Sequence, residues 1–127
     1  MKLRINGNSL RLRVSRSDLA RFQAKGRIQE TIHFAAAPEA KLTYALECAL
    51  QPYPVKVRYG LNEVTVILSE DQARIWGAES IVGVYDTVDI GLAGSLDVVV
   101  EKDFGCVDRS DEENSDTFPN PHAGATC

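Results

Sequence analysis

KLRINGNSLRLRVS, residues 2–15, and KVRYGLNEVTVILS, residues 56–69, are the stretches whose reading decides the fold. In the first, Leu3 and Ile5 alternate with Lys2 and Arg4, and Leu10, Leu12 and Val14 alternate with Arg11 and Arg13. A period of two puts the apolar residues on one face of a strand and the basic residues on the other. Asn6, Gly7 and Asn8 between the runs tolerate the positive φ of a tight turn, so the stretch reads as a β-hairpin. The second stretch reads the same way around Gly60 and Asn62.

Outward from the first hairpin, Ser15 stands three residues before Asp18, the spacing at which a hydroxyl and a carboxylate satisfy the free amides of a helix start. Leu19 and Phe22 follow at helical spacing and Gly26 supplies the stop, which predicts a short helix over 16–25. Residues 27–34 and 41–48 read as strands joined by the Ala, Pro and Glu connection at 35–40, and Pro52 and Pro54 close the half. After the second hairpin, Ser69 and Gln72 read as a second capping box. Ala73 and Trp76 form the apolar edge of a second helix, and strands near 81–90 and 96–101 complete the pattern.

Sliding the chain over itself by 54 residues without a gap aligns Lys2 with Lys56, Arg4 with Arg58, Asn8 with Asn62, Ser15 with Ser69 and Phe22 with Trp76. Only seven of the 46 aligned positions are identical, so the agreement of hairpin, cap, aromatic helix residue and last strand carries the repeat. A ββαββ unit alone has too small a core, and two copies sharing one interior solve that. The expected fold is α+β: a duplicated ββαββ unit, mainly antiparallel, as an eight-stranded barrel or a two-sheet arrangement with two short helices. Barrel closure is the preferred form, because it removes exposed strand edges. Residues 1–102 form one domain of two repeats, 2–48 and 56–102. Residues 103–127 form an acidic tail, containing Cys and Pro, packed on the domain or mobile beside it.

Composition narrows the class. At 127 residues and 44% hydrophobic, the chain has the material for one self-sufficient core. Charges at every second position near the start break up any apolar run that a secretion signal would need, and no run approaches the length of a membrane span. Three cysteines, an odd number, fit a reducing compartment better than a disulfide framework, so a cytoplasmic location is expected. Residues 101–116 hold seven acids and two bases, whereas residues 1–30 hold eight bases and two acids. The charge is therefore polarised along the chain.

The opening KLRINGNSLRLRVS, the strand end VEKDFGC and the stretch DTFPNP together resemble a family of small uncharacterised bacterial proteins, classed as a domain of unknown function. The resemblance covers essentially the whole chain and implies a bacterial cytosolic origin. It brings no catalytic residue.

Two constellations of residues have chemistry to offer. Cys106, His122 and Cys127 are soft ligands of the kind zinc selects, with Asp103, Asp108 or Asp116 available as a fourth, although neither C-x-x-C nor a histidine pair frames them. Free thiols, or a disulfide between Cys106 and Cys127, are the plainer readings. Lys2, Arg4, Arg11, Arg13, Lys56 and Arg58 form an anion-binding stripe if all six project together, but strand alternation alone also places polar residues outside. If that face instead lined a barrel, Glu47 and Glu101 would be the symmetric carboxylates of a phosphate tunnel holding a metal. The acidic tail has a further option, which is to fold back over the basic stripe. No nucleophile elbow, phosphate loop or dinucleotide fingerprint is present. An overall acidic chain, with pI about 5.1 and no aromatic-interleaved basic surface, argues against nucleic acid. The reading leans away from an enzyme and towards a non-catalytic binding or regulatory module with a protein partner. Its alternatives are an anion-, phosphate- or nucleic-acid-binding module on the basic face, and a small metal-dependent enzyme or zinc protein using the tail.

Overall fold

Each half of the chain sends one hairpin to each of two sheets. A computed structural model describes residues 1–105 and 115–119. The elements are β1 (Lys2–Ile5), β2 (Ser9–Val14), α1 (Arg16–Lys25), β3 (Arg27–His33), β4 (Lys41–Ala49), β5 (Val55–Gly60), β6 (Glu63–Ser69), α2 (Glu70–Trp76), β7 (Gly83–Asp89) and β8 (Ser95–Lys102). One sheet has the order β1-β2-β8-β7 and the other β3-β4-β6-β5. Every hairpin is antiparallel, and the halves join through the central parallel pairs β2 with β8 and β4 with β6.

The described strands therefore form two four-stranded sheets and not a closed barrel. Closure is unnecessary here because the edge strands carry their own protection: Lys2 and Arg4 on β1, Arg27 and Glu30 on β3, Lys56 and Arg58 on β5, Asp86 and Asp89 on β7. Charged residues on an edge discourage further strand pairing, which removes the pressure that favours a barrel.

Register repeats between the halves, with one slip. Lys2 lies opposite Arg13 and, 54 residues on, Lys56 lies opposite Ile67. Val14 lies beside Lys102, and Leu68 beside Cys48, at the same offset. In the last hairpins, however, Ile28 faces Leu46 while Val84 faces Val100, so β7 is displaced by 56 residues and β8 by 54. Two extra residues before β7 are offset by a shorter β7–β8 connection, 90–94 against 34–40. An ungapped alignment is thus wrong across β3 and β7.

The apolar faces of the sheets meet. Leu10, Leu12, Val14, Val98 and Val100 from one pack with Leu46, Val66 and Leu68 from the other in a single buried cluster. Both helices cross between sheets at the same end, α1 from β2 to β3 and α2 from β6 to β7. They close that end with Leu19, Phe22 and the fully buried Trp76. The Phe22 and Trp76 rings lie 6.1 Å apart, and the indole N–H of Trp76 donates to the Val82 carbonyl at 3.2 Å.

Local chemistry sets the helix limits. Ser15 and Asp18 make both bonds of a capping box, and Gly26 ends α1 at φ 75°, donating its N–H to the Phe22 carbonyl. At α2, Ser69 accepts from the Gln72 N–H, but Gln72 does not return a bond to the cap, so only half of the expected second box forms. Beyond β8, Phe104 pairs with Phe118, and Arg16 N–H donates to the Asp116 carbonyl at 2.9 Å. Residues 115–119 are thereby held against β8 and the start of α1. No helix among the described residues is long and apolar enough to cross a membrane.

Candidate functional site

The six basic residues are divided. Strand parity opposite to the buried leucines and valines puts Lys2, Arg4, Arg11 and Arg13 on the outer face of one sheet, and Lys56 and Arg58 on the outer face of the other. Because the sheets pack through their apolar faces, these groups point away from each other and line no tunnel. On the first face, Arg11 and Arg13 both approach Glu101, at 3.4 and 3.5 Å, and Lys2 pairs with Asp103 at 2.8 Å. On the second, Glu47 takes Arg27 at 2.9 Å and Arg58 at 3.5 Å, and Arg27 also pairs with Glu63. Glu47 and Glu101 thus each sit between two guanidiniums, which satisfies them as ion-pair acceptors and keeps them apart from one another.

Cys106, His122 and Cys127 lie outside the described residues, and among those described no group of three or more metal-ligating side chains occurs. Cys48 is a free thiol, pushed up in pKa by burial and by the nearby Glu70 carboxylate. Burial disfavours the thiolate, which makes it a poor nucleophile. From the tail, Asp103 meets the basic face through Lys2, whereas Asp116 turns to α1. There its carboxylate accepts from Ser17 N–H at 3.1 Å and from the Ser17 hydroxyl, and these bonds hold it below its usual pKa.

A buried polar cluster that periodicity did not disclose lies where β1 meets α1. The Met1 ammonium is within 2.7 Å of Asp18 and 3.0 Å of Glu30, and Tyr44 donates its hydroxyl to Glu30 at 2.9 Å. Burial alone would lower the ammonium pKa, but the bonds to Asp18 and Glu30 outweigh it and raise the value. Asp18 is correspondingly lowered, burial being overcome by the ammonium and by Ser15. Tyr44, desolvated beside Glu30, is pushed up to about 12. The groups satisfy one another, so the cluster is structural. The sequence signal for it was Asp18, read only as a cap.

The opposite end of the molecule is different in kind. The four β-hairpin connections lie there, away from the helices, and are tied within each sheet: Asn8 donates to the Ser95 carbonyl at 2.5 Å and Asn62 to the Glu39 carbonyl at 3.0 Å. Ile5, Ile32, Phe34, Leu61, Ile90 and Leu92 are exposed on these tips or the adjoining strand ends. Leu61 is 100% exposed and sits at φ 52°, a left-handed conformation. Gly7 occupies the corresponding place in the β1–β2 turn, at φ 56°. A leucine in that conformation costs roughly 1–2 kcal/mol relative to an unstrained one, and here no burial compensates. Asp86, Asp89 and Asp97 border these tips on the β7–β8 side, and their carboxylates accept hydrogen bonds from Thr87 and Gly91.

No curated protein and no solved structure matches the chain. Residues 1–122 match the model of DUF7009, described as a family of unknown function, and the chain belongs to that family.

Proposed function

We propose that the protein is a non-catalytic binding module, built from a duplicated ββαββ unit, that grips a protein partner with its loop end. The observation that carries this reading is Leu61. At matching turn positions both halves adopt a left-handed φ, 56° and 52°, although only the second half continues it into the next residue, Asn62; yet one half uses Gly7 there and the other a fully exposed leucine. Local stability would favour glycine there, so the leucine is best accounted for by a contact made outside the chain. Several exposed apolar side chains gathered on the loop tips of one end are the usual signature of an interaction surface.

The partner's chemistry follows from the rim. Asp86, Asp89 and Asp97 call for basic groups facing the β7–β8 side, around an apolar centre that receives Leu61, Phe34 and Leu92. A lipid surface is a poorer occupant, since these carboxylates would approach anionic headgroups. Repeated register and strand order support the duplication, with the two-residue slip before β7 as a later divergence. The odd cysteine count supports a reducing compartment, so this reading places the module in a bacterial cytoplasm.

The test is comparative capture with wild type and the Leu61→Gly, Leu92→Ser double variant, followed by titration of the purified captured protein against each. Affinity at least about tenfold weaker for the variant, with binding that weakens as salt rises, is expected. Equal affinity would overturn the assignment of the surface. Concentration-dependent self-association that the variant abolishes would replace the partner by a second copy.

A further inference from the structure

Lys102 ends β8 in phase with Leu96, Val98 and Val100, the inward-facing residues of that strand, and only 3% of it is exposed. Its ammonium donates to the Ala78 carbonyl at 2.7 Å and lies 5.5 Å from the centre of the Phe118 ring. An ammonium has three donors, and among the described residues that carbonyl is the hydrogen-bond acceptor it finds. The fold does not demand a cation here. In the other half the same register position, beside Leu68 where Lys102 stands beside Val14, is filled by the small thiol of Cys48. A buried lysine that the matching site does without, with donor capacity to spare, is a candidate for recognition of something not in the chain.

Lys102 lines a cavity of about 450 Å³ whose walls also include Arg16, Leu19, Phe104 and Phe118, with the exposed Glu79 at its edge. Two cationic residues and three apolar ones line it, and the volume matches a small organic molecule. We propose that this cavity binds a small monocarboxylate with an apolar, aryl-sized body, its carboxylate on Lys102 Nζ and the Arg16 guanidinium and its body against Leu19, Phe104 and Phe118. Glu79 selects against dianions such as phosphate, because a second negative charge would meet it at the rim. This site lies at the helical end and is independent of the loop-end surface.

The probe is 3-phenylpropionate, titrated calorimetrically into the full-length protein, beside the isosteric neutral 3-phenylpropan-1-ol. Saturable binding of the acid is expected, with the alcohol at least about tenfold weaker, as befits a lost charge-assisted bond. Lys102→Met should weaken the acid by about tenfold and leave the alcohol unchanged, the unchanged alcohol showing that the cavity is intact. Should Lys102→Met fail to fold, Glu79→Gln on the exposed rim takes its place, with acid binding tightened about threefold and alcohol binding unmoved. Acid and alcohol binding alike, wild-type affinity for the acid in Lys102→Met, no effect of Glu79→Gln, or no saturation with either probe would each overturn the assignment.

Discussion

Residues 2–49 and 55–102 pass through the same sequence of elements, but the first half has invested in its helix and the second in its loops. The first half has a ten-residue α1 with a complete capping box, a left-handed glycine stop and a buried ammonium on Asp18. The second has a seven-residue α2 with half a box and a right-handed cap at Gly77. In exchange it carries Leu61 where the first half has Gly7, and Lys102 where the first has Cys48. Positions that agree between halves keep the common core. Positions that differ by a locally unfavourable choice are the ones to suspect of function.

The comparison can be broken most sharply in the core. Phe22 and Trp76 stand at equivalent helix positions, but Trp76 is larger, fully buried and hydrogen-bonded to Val82. Trp76→Ala should cost about 4–5 kcal/mol and Phe22→Ala about 3, measured by urea unfolding. Equal costs would mean that the two helices are anchored alike.

Next in size is the ammonium cluster. Asp18→Asn leaves a buried ammonium poorly compensated and should cost roughly 3 kcal/mol, against less than about 0.5 for Gln72→Ala at the matching place in α2. The same groups set a pH window. Asp18 is lowered in the folded protein, so its contribution is present above its unfolded pKa near 4 and is lost as pH falls through the folded value. The Met1 ammonium is raised, so its contribution is full below its ordinary value of 8.0 and is lost as pH rises through the folded value. Stability should therefore be flat between and fall on both sides, and Asp18→Asn should soften both slopes. An unchanged pH profile in that variant would dissociate the cluster from stability.

A smaller contrast lies at the helix ends. Gly26→Ala forces a side chain into φ 75° and should cost about 1 kcal/mol. Gly77 has φ −65°, and a Cβ there would meet only the movable end of Gln23 at 2.7 Å and carbonyls at ordinary contact, so Gly77→Ala should change stability by less than about 0.5 kcal/mol. A large loss at Gly77 would mean that Gln23 cannot yield.

Much of this architecture could be read in advance because hairpins and caps are local. Alternation, Asn and Gly turns, and Ser at helix starts placed β1, β2, α1, β5 and β6 within a residue or two. Sheet assembly was harder to read, because parallel pairing of β2 with β8 joins residues almost ninety apart and depends on which apolar faces meet. The slip before β7 left no trace either, since residues 77–82 carry no periodic pattern. Among sites, the basic stripe was seen but its division between opposite faces was not. Lys102 was missed although its parity with Leu96, Val98 and Val100 already placed it inside. The lesson is that a charged residue in phase with an apolar row outweighs six that are out of phase.

Urea unfolding of Leu61→Gly tests the account most directly, for it installs the first half's own turn residue in the second. The account predicts a gain of about 1 kcal/mol in stability together with a loss of partner affinity. A variant less stable than wild type would show that Leu61 supports the fold after all, and the case for a loop-end binding surface would fall with it.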